Sequence, residues 1–206
     1  MTNDTTPEPA SATHSGTVMH ACDARIGQLM ASAPDKHSPD AYLFAKLIAS
    51  REVRGERVLL GLSHEDLDAL FRRHFAPELA QFKTSGQVVG LLTQEHAEFV
   101  AALQALTLKH ASATVHADDA RCLASIIAHA CLRPDHLWRD LGLDGREEVS
   151  AMLERYFPEL VSLNVAGLRW KKFLAQQLAL SLGREPGPAP GCPGCEDYRH
   201  CFPPTP

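Results

Sequence analysis

Apolar positions along this chain recur at helical spacing and almost nowhere at the alternation of a strand. In "VMHACDARIGQLM", Val18, Cys22, Ile26 and Leu29 fall three or four residues apart, which predicts one face of a helix. "SPDAYLFAKLIASRE" predicts a second helix. Ser38 supplies an N-cap oxygen, and Pro39 stands at the first helical position, where its missing N–H costs nothing. In "SHEDLDALFRRHF", Ser63 and Asp66 fit a capping box ahead of Leu67, Leu70 and Phe71. "QEHAEFVAALQALTLKHA" places Phe99, Leu103, Leu106 and His110 on one stripe. "DDARCLASIIAHACL" begins with two acids, as the helix dipole favours, and must stop by Pro134.

The same reading predicts a short helix around Leu137 that ends near Gly142, and another from about Arg146 to Phe157, halted by Pro158. A last long helix is predicted over roughly Asn164 to Leu182, with Leu163, Trp170, Leu174 and Leu178 near one face and Gly183 terminating it. Only "GQVVGLL", residues 86–92, reads as strand-like, and no internal repeat is visible. The expected class is all-α: a single helical-bundle-like domain of about six to eight helices over residues 17–183. Residues 1–16, rich in Thr, Ser and Pro, are expected to be disordered. "GREPGPAPG" opens a Pro/Gly linker and cysteine-rich, irregular tail over residues 184–206.

Composition narrows the function. The 206 residues are 45% apolar, enough for a real core. The net charge of −5, with both signs mixed along the chain, argues against nucleic-acid binding, which needs a basic face. No apolar run reaches membrane-spanning length and the N-terminus lacks a secretory pattern, so a cytoplasmic protein is expected. There thiols stay reduced, and six cysteines suggest metal or redox chemistry before disulfides.

Three of those cysteines, Cys192, Cys195 and Cys201, lie in "GPAPGCPGCEDYRHCF". A Cys-x-x-Cys loop bends so that both thiolates reach one centre, and a third Cys five residues on can return to it. Metal ligation would order a tail whose large apolar residues are only Tyr198 and Phe202. The same spacing also suits an unstructured reduced tail or a reversible dithiol. Spacing does not separate zinc from iron–sulfur. His200 could complete a Cys3His zinc site, although as a neighbour of Cys201 it is awkwardly placed.

The stretches "LASIIAHACLRPDHLWRDLGL", "FPELVSLNVAGLRWKKF" and "APGCPGCEDYRHCF", with "LFAKLIASR" nearer the N-terminus, resemble the NifQ family of nitrogen fixation. The resemblance implies a molybdenum carrier or assembly factor rather than an enzyme with turnover. Such a protein would hold an iron–sulfur or molybdenum–iron–sulfur cluster and draw on molybdate as a metal source. It would supply molybdenum for the nitrogenase iron–molybdenum cofactor, with the NifEN scaffold and the NifH iron protein as partners. The alternative from the residues alone is a helical interaction module with a zinc-ordered tail. The family's tail motif is Cys-x4-Cys-x2-Cys-x5-Cys. Its last three cysteines correspond to Cys192, Cys195 and Cys201, while the first falls on Gly187. A cubane held by three thiolates keeps one corner for water, an anion or a side chain.

Other candidates have ordinary readings beside them. Cys131, His129 and His136 in "HACLRPDH" could reach the tail centre, but the face carrying Ile127 and Cys131 reads as core. Cys22 and Cys122 also read as core. Arg169, Lys171 and Lys172 around Trp170 could attract an oxyanion or a partner's carboxylate, or simply form a solvated face. Trp138 and Trp170 read as packing anchors. "GLSHE" is not a nucleophile elbow, "EHAEF" is not His-Glu-x-x-His, and no phosphate loop is present.

Overall fold

The computed structural model describes residues 10–80 and 92–204 of the chain. Among the described residues ten α-helices run in order: α1 Ala10–Ser32, α2 Pro39–Glu52, α3 His64–His74, α4 Gln94–Leu108, α5 Ala117–Ala130, α6 Leu137–Leu141, α7 Arg146–Tyr156, α8 Pro158–Ser162, α9 Trp170–Ser181 and α10 Tyr198–Cys201. Seven of these have eleven or more residues, in line with the six to eight expected. Among the described residues there is no strand. The strand-like stretch lies outside them from residue 86 to 91. Residues 10–16 of the segment expected to be disordered belong to α1, and residues 1–9 lie outside the described residues.

Local chemistry sets most of the boundaries. The Ser38 side chain accepts from the Ala41 amide, and Ser63 from the Asp66 amide at 3.0 Å. Thr93 caps α4 in the same way. Gly142 and Gly183 end α6 and α9 at φ 73° and 65°, the left-handed region that a Cβ disfavours. The last long helix starts six residues later than the pattern predicts. The Asn164 side chain accepts from the Leu168 amide at 2.8 Å and donates to the Leu168 carbonyl at 3.0 Å, folding residues 164–168 into a turn. Leu163, placed by the pattern on the buried face, is 48% exposed there.

Helix α5 is the hub. Residues Cys122–Ala128 are all buried, so it is enclosed on every side, with α3, α4 and α6 packed around it. Phe44, Ile48, Leu70, Phe71, Leu103, Leu123, Leu153 and Phe173 fill the core. Cys131 is fully buried and Cys122 nearly so, as the sequence suggests, while half-buried Cys22 faces α2, its Sγ 3.9 Å from the Ala49 carbonyl. No described helix is long and apolar enough to cross a membrane.

The tail is no loose appendage. Metal alone was expected to order it, because it has few large apolar residues. Instead its small residues allow close approach. Ala189 is fully buried, and the Gly191 amide donates to the Cys131 carbonyl at 3.0 Å. A Cβ on Gly191 would sit 1.9 Å from the Arg133 carbonyl oxygen. The tail thus crosses the turn between α5 and α6, and a count of hydrophobic residues misses this docking.

Candidate metal centre

Two short helical turns shape the tail: a 3-10 turn over Cys192–Gly194, and α10. They bring Cys192, Cys195 and Cys201 to the wall of one cavity of about 190 Å³. The opposite wall comes from α6 and the start of α9, with Leu137, Trp138 and Trp170; Tyr198 and Phe202 close the tail side. Cys192 is 7% exposed, and Cys195 and Cys201 are half-buried. Burial pushes the Cys192 thiol up, while a backbone hydrogen bond with Ala189 and the nearby Lys171 charge pull it down.

The basic residues around Trp170 do not form a solvated face. Lys171 is 6% exposed and reaches Asp140 at 2.5 Å and the Arg133 carbonyl at 2.7 Å, with the Asp135 carbonyl as a third acceptor. It therefore clamps the turn on which the tail lies. Lys172 donates to the Cys201 carbonyl and stands 4.9 Å over the Phe202 ring. Arg169 pairs with Asp197 at 2.5 Å. Arg146 holds the carbonyls of Gly167 and Leu168. Among the described residues neither Arg146 nor Lys172 pairs with a carboxylate, and both line the cavity. The first turn of α9 holds no acid, and Lys172 adds to the positive end of the helix dipole a charge that no carboxylate of the described residues pairs. Such an arrangement favours an anionic occupant.

Of the remaining candidates, His136 lines the cavity and His129 does not. The His129 ring is 2.9 Å from the Ser125 carbonyl, and burial lowers its pKa. Cys131 lies behind the wall, its thiol pushed up to about 12 by burial. His200 is exposed and is not part of the lining, so it does not join the three thiols. Gly187 borders an adjoining groove with Lys172, Cys201 and Phe202, and nothing stands within 4 Å of where its Cβ would be.

Sequence reasoning missed Arg146, Glu196 and Asp197. Glu196 and Asp197 lie between two cysteines, and that position was the available signal. Asp197 and Glu196 approach His136 Nε2 at 3.1 and 3.3 Å, and Arg139 pairs with Glu196 at 3.0 Å.

A sequence profile of the NifQ family matches residues 41–203. A Protein NifQ homolog of Sinorhizobium fredii (strain NBRC 101917 / NGR234) is 37% identical over 171 residues, covering 79% of this chain and 71% of the relative. Protein NifQ of Rhodobacter capsulatus is 35% identical over 147 residues, 70% of this chain and 76% of the relative. Protein NifQ of Azotobacter vinelandii is 46% identical over 80 residues, 39% and 41% of the two chains. No solved structure matches the chain.

Proposed function

This chain belongs to the NifQ family, and from that membership together with the cavity we propose that it carries a molybdenum–iron–sulfur cluster and supplies molybdenum for assembly of the nitrogenase iron–molybdenum cofactor. Membership supports the broad role in nitrogen fixation. The finer reading is supported by one observation: the three tail cysteines line a single cavity with a cationic rim.

The donor set fits such a centre. Thiolates are the usual protein ligands of iron–sulfur clusters, and soft donors of this kind select them. A cluster held by three thiolates is anionic, and Lys172, Arg146 and the start of α9 offset that charge. The aromatic walls, Trp138, Trp170, Tyr198 and Phe202, would shield part of a hydrolysable sulfide core from water. In this reading Cys192, Cys195 and Cys201 are the cluster ligands, and molybdenum, arriving as molybdate, is cargo. It leaves towards the partners that the resemblance implies, the NifEN scaffold and the NifH iron protein. The protein is then a carrier and not a turnover enzyme.

The test is iron, sulfide and molybdenum per chain, with the visible spectrum, after anaerobic purification. Wild type is expected to be brown. Cys192→Ser, Cys195→Ser and Cys201→Ser are each expected to lose most of the iron, and Cys22→Ser to keep it. Full iron in the three tail variants sinks the assignment. A colourless protein loaded with zinc supports the interaction-module alternative instead.

A further inference from the structure

Three thiols leave one position of a four-donor centre unfilled by cysteine. Cys131 is sealed behind the cavity wall and Cys22 and Cys122 lie on helices α1 and α5, away from the lining. Gly187 offers no donor. We propose that His136 is the fourth protein ligand of this centre, binding through Nδ1, with Asp197 as the residue that positions its ring. The proposal rests on the cluster reading above and specifies its coordination.

The ring is held as a ligand would be. His136 is the N-cap residue of α6, yet its side chain makes no capping hydrogen bond. By contrast, His116 caps α5 by accepting from the Asp118 amide at its Nδ1. Freed from that task, the His136 ring faces the cavity with its side chain 15% exposed. It stacks on Trp138, centroids 6.3 Å apart and planes 11° from parallel. Stacking fixes the plane in which both nitrogens point.

The neighbours distinguish the two nitrogens. Arg169 Nη1 lies 3.5 Å from Nδ1, and a guanidinium only donates, so a neutral ring that accepts from it presents the Nδ1 lone pair on that side. In that tautomer the proton is on Nε2, which faces Asp197 Oδ2 at 3.1 Å and Glu196 Oε1 at 3.3 Å. A ring nitrogen donating to a carboxylate while the other is left for a metal is the usual support of a histidine ligand. Both acids stand between Cys195 and Cys201, so the loop that presents the thiols also orients the imidazole. Asp197 retains Arg169 at 2.5 Å, which keeps that guanidinium paired once a metal takes Nδ1.

The competing donor is Asp135. Its Oδ1 already accepts from the His136 amide at 2.7 Å and from Arg139 at 3.2 Å. Imidazole also suits iron better than a carboxylate does. The ligand atoms of Asp135, His136 and Glu196 lie within 4.8 Å of one another, which would suit a separate cation. Arg139 bridges the two carboxylates, however, and its guanidinium supplies the positive charge there.

The experiment uses full-length protein carrying 15N-histidine, reconstituted anaerobically with ferrous iron and sulfide and brought to a paramagnetic state. Pulsed EPR is expected to show nitrogen hyperfine coupling to the cluster. In His136→Ala, and in His136→Asn as the closer match in polarity, the coupling is expected to vanish while the three thiols retain the cluster. Asp197→Asn is expected to change the size of the coupling and to shift the cluster's reduction potential with iron content unchanged. A wild-type cluster that shows no nitrogen coupling, a three-iron product, or coupling that survives in both His136 variants overturns the histidine ligand and leaves the cluster reading standing. Wild type that takes up no iron and sulfide overturns both, and iron analysis alone reveals that case.

Discussion

The Gly191 amide donates to the Cys131 carbonyl at 3.0 Å, and this bond ties the cysteine tail to the C-terminus of α5. It joins residues sixty positions apart, and only a residue without a Cβ comes so close. The site is therefore built on a backbone contact that no side chain of residue 191 could survive.

Gly191→Ala is expected to lift the tail off the body. The added methyl would meet the Arg133 carbonyl at 1.9 Å, and backbone cannot swing aside as a side chain can. The cost is about 1–3 kcal/mol, as for other overpacking changes. Gly187→Ala is the control. Its Cβ meets nothing within 4 Å, and Gly187 is not among the positive-φ glycines, so the effect is within about 0.5 kcal/mol. Urea unfolding and alkylation rates of Cys195 and Cys201 compare the two. Equal behaviour would contradict the close approach.

Stability is expected to fall above pH 9, with Cys131 one of four thiols, beside Cys22, Cys122 and Cys192, whose ionisation burial opposes. Burial raises its thiol from 9.0 to about 12. Below the lower value both states keep the proton, and the contribution of the buried thiol is fully present. Between the two values the unfolded chain ionises and the folded chain does not, so this contribution falls by about 1.4 kcal/mol for each pH unit. Urea midpoints under reductant at about pH 8 and about pH 10 are expected to converge in Cys131→Ala relative to wild type. An unchanged pH dependence in the variant would show that this thiol contributes nothing to the slope.

Adjacent lysines are expected to behave differently. Lys171→Met leaves Asp140 without its closest partner and removes the donor that holds the carbonyls of Arg133 and Asp135. The loss is about 3 kcal/mol, in the range for breaking a buried pair. Lys172→Met removes a half-buried contact to the Cys201 carbonyl and costs less than about 1 kcal/mol. The variant is nevertheless expected to load less cluster, because it strips charge from the rim. Chemical denaturation and iron content give the two readouts, and comparable stability losses in both variants would argue against the clamp.

Gly187→Cys places a thiol in the groove that also borders Cys201. Iron content is expected to stay the same or rise. Molybdenum delivery to a cofactor-assembly mixture is expected to slow, because a thiolate in the place of His136 is a ligand that an acceptor displaces less readily. With His136 as the natural fourth ligand, the new thiolate would also weaken its nitrogen coupling. Faster delivery by the variant would instead identify Gly187 as damage to the site.

The helices were legible because their causes are local. Ser38 and Ser63 cap from the next turn, and Gly142 and Gly183 stop their helices through their own backbone conformation. The three tail cysteines were legible for the same reason, since they fall within the ten residues from Cys192 to Cys201. The start of α9 was misplaced although its cause is also local. Leu163 continues the apolar spacing, but the Asn164 side chain offers the backbone a turn in place of a helix, and periodicity does not register that competition.

By itself, then, the sequence determined the all-helical class of the described residues, most of their element ends and the grouping of three cysteines in the tail. The tertiary structure decided what the charges do. Arg169, Lys171 and Lys172 are consecutive or nearly so, and their pattern fits a solvated helix face. Their partners Asp197, Asp140 and the Cys201 carbonyl lie about thirty residues away in the chain, on the tail and on α6. Burial of a cation depends on what other segments bring to it, and that information is not in the periodicity of its own helix. The same holds for His136, whose place in the cavity was set only when α6, α9 and the tail closed around it.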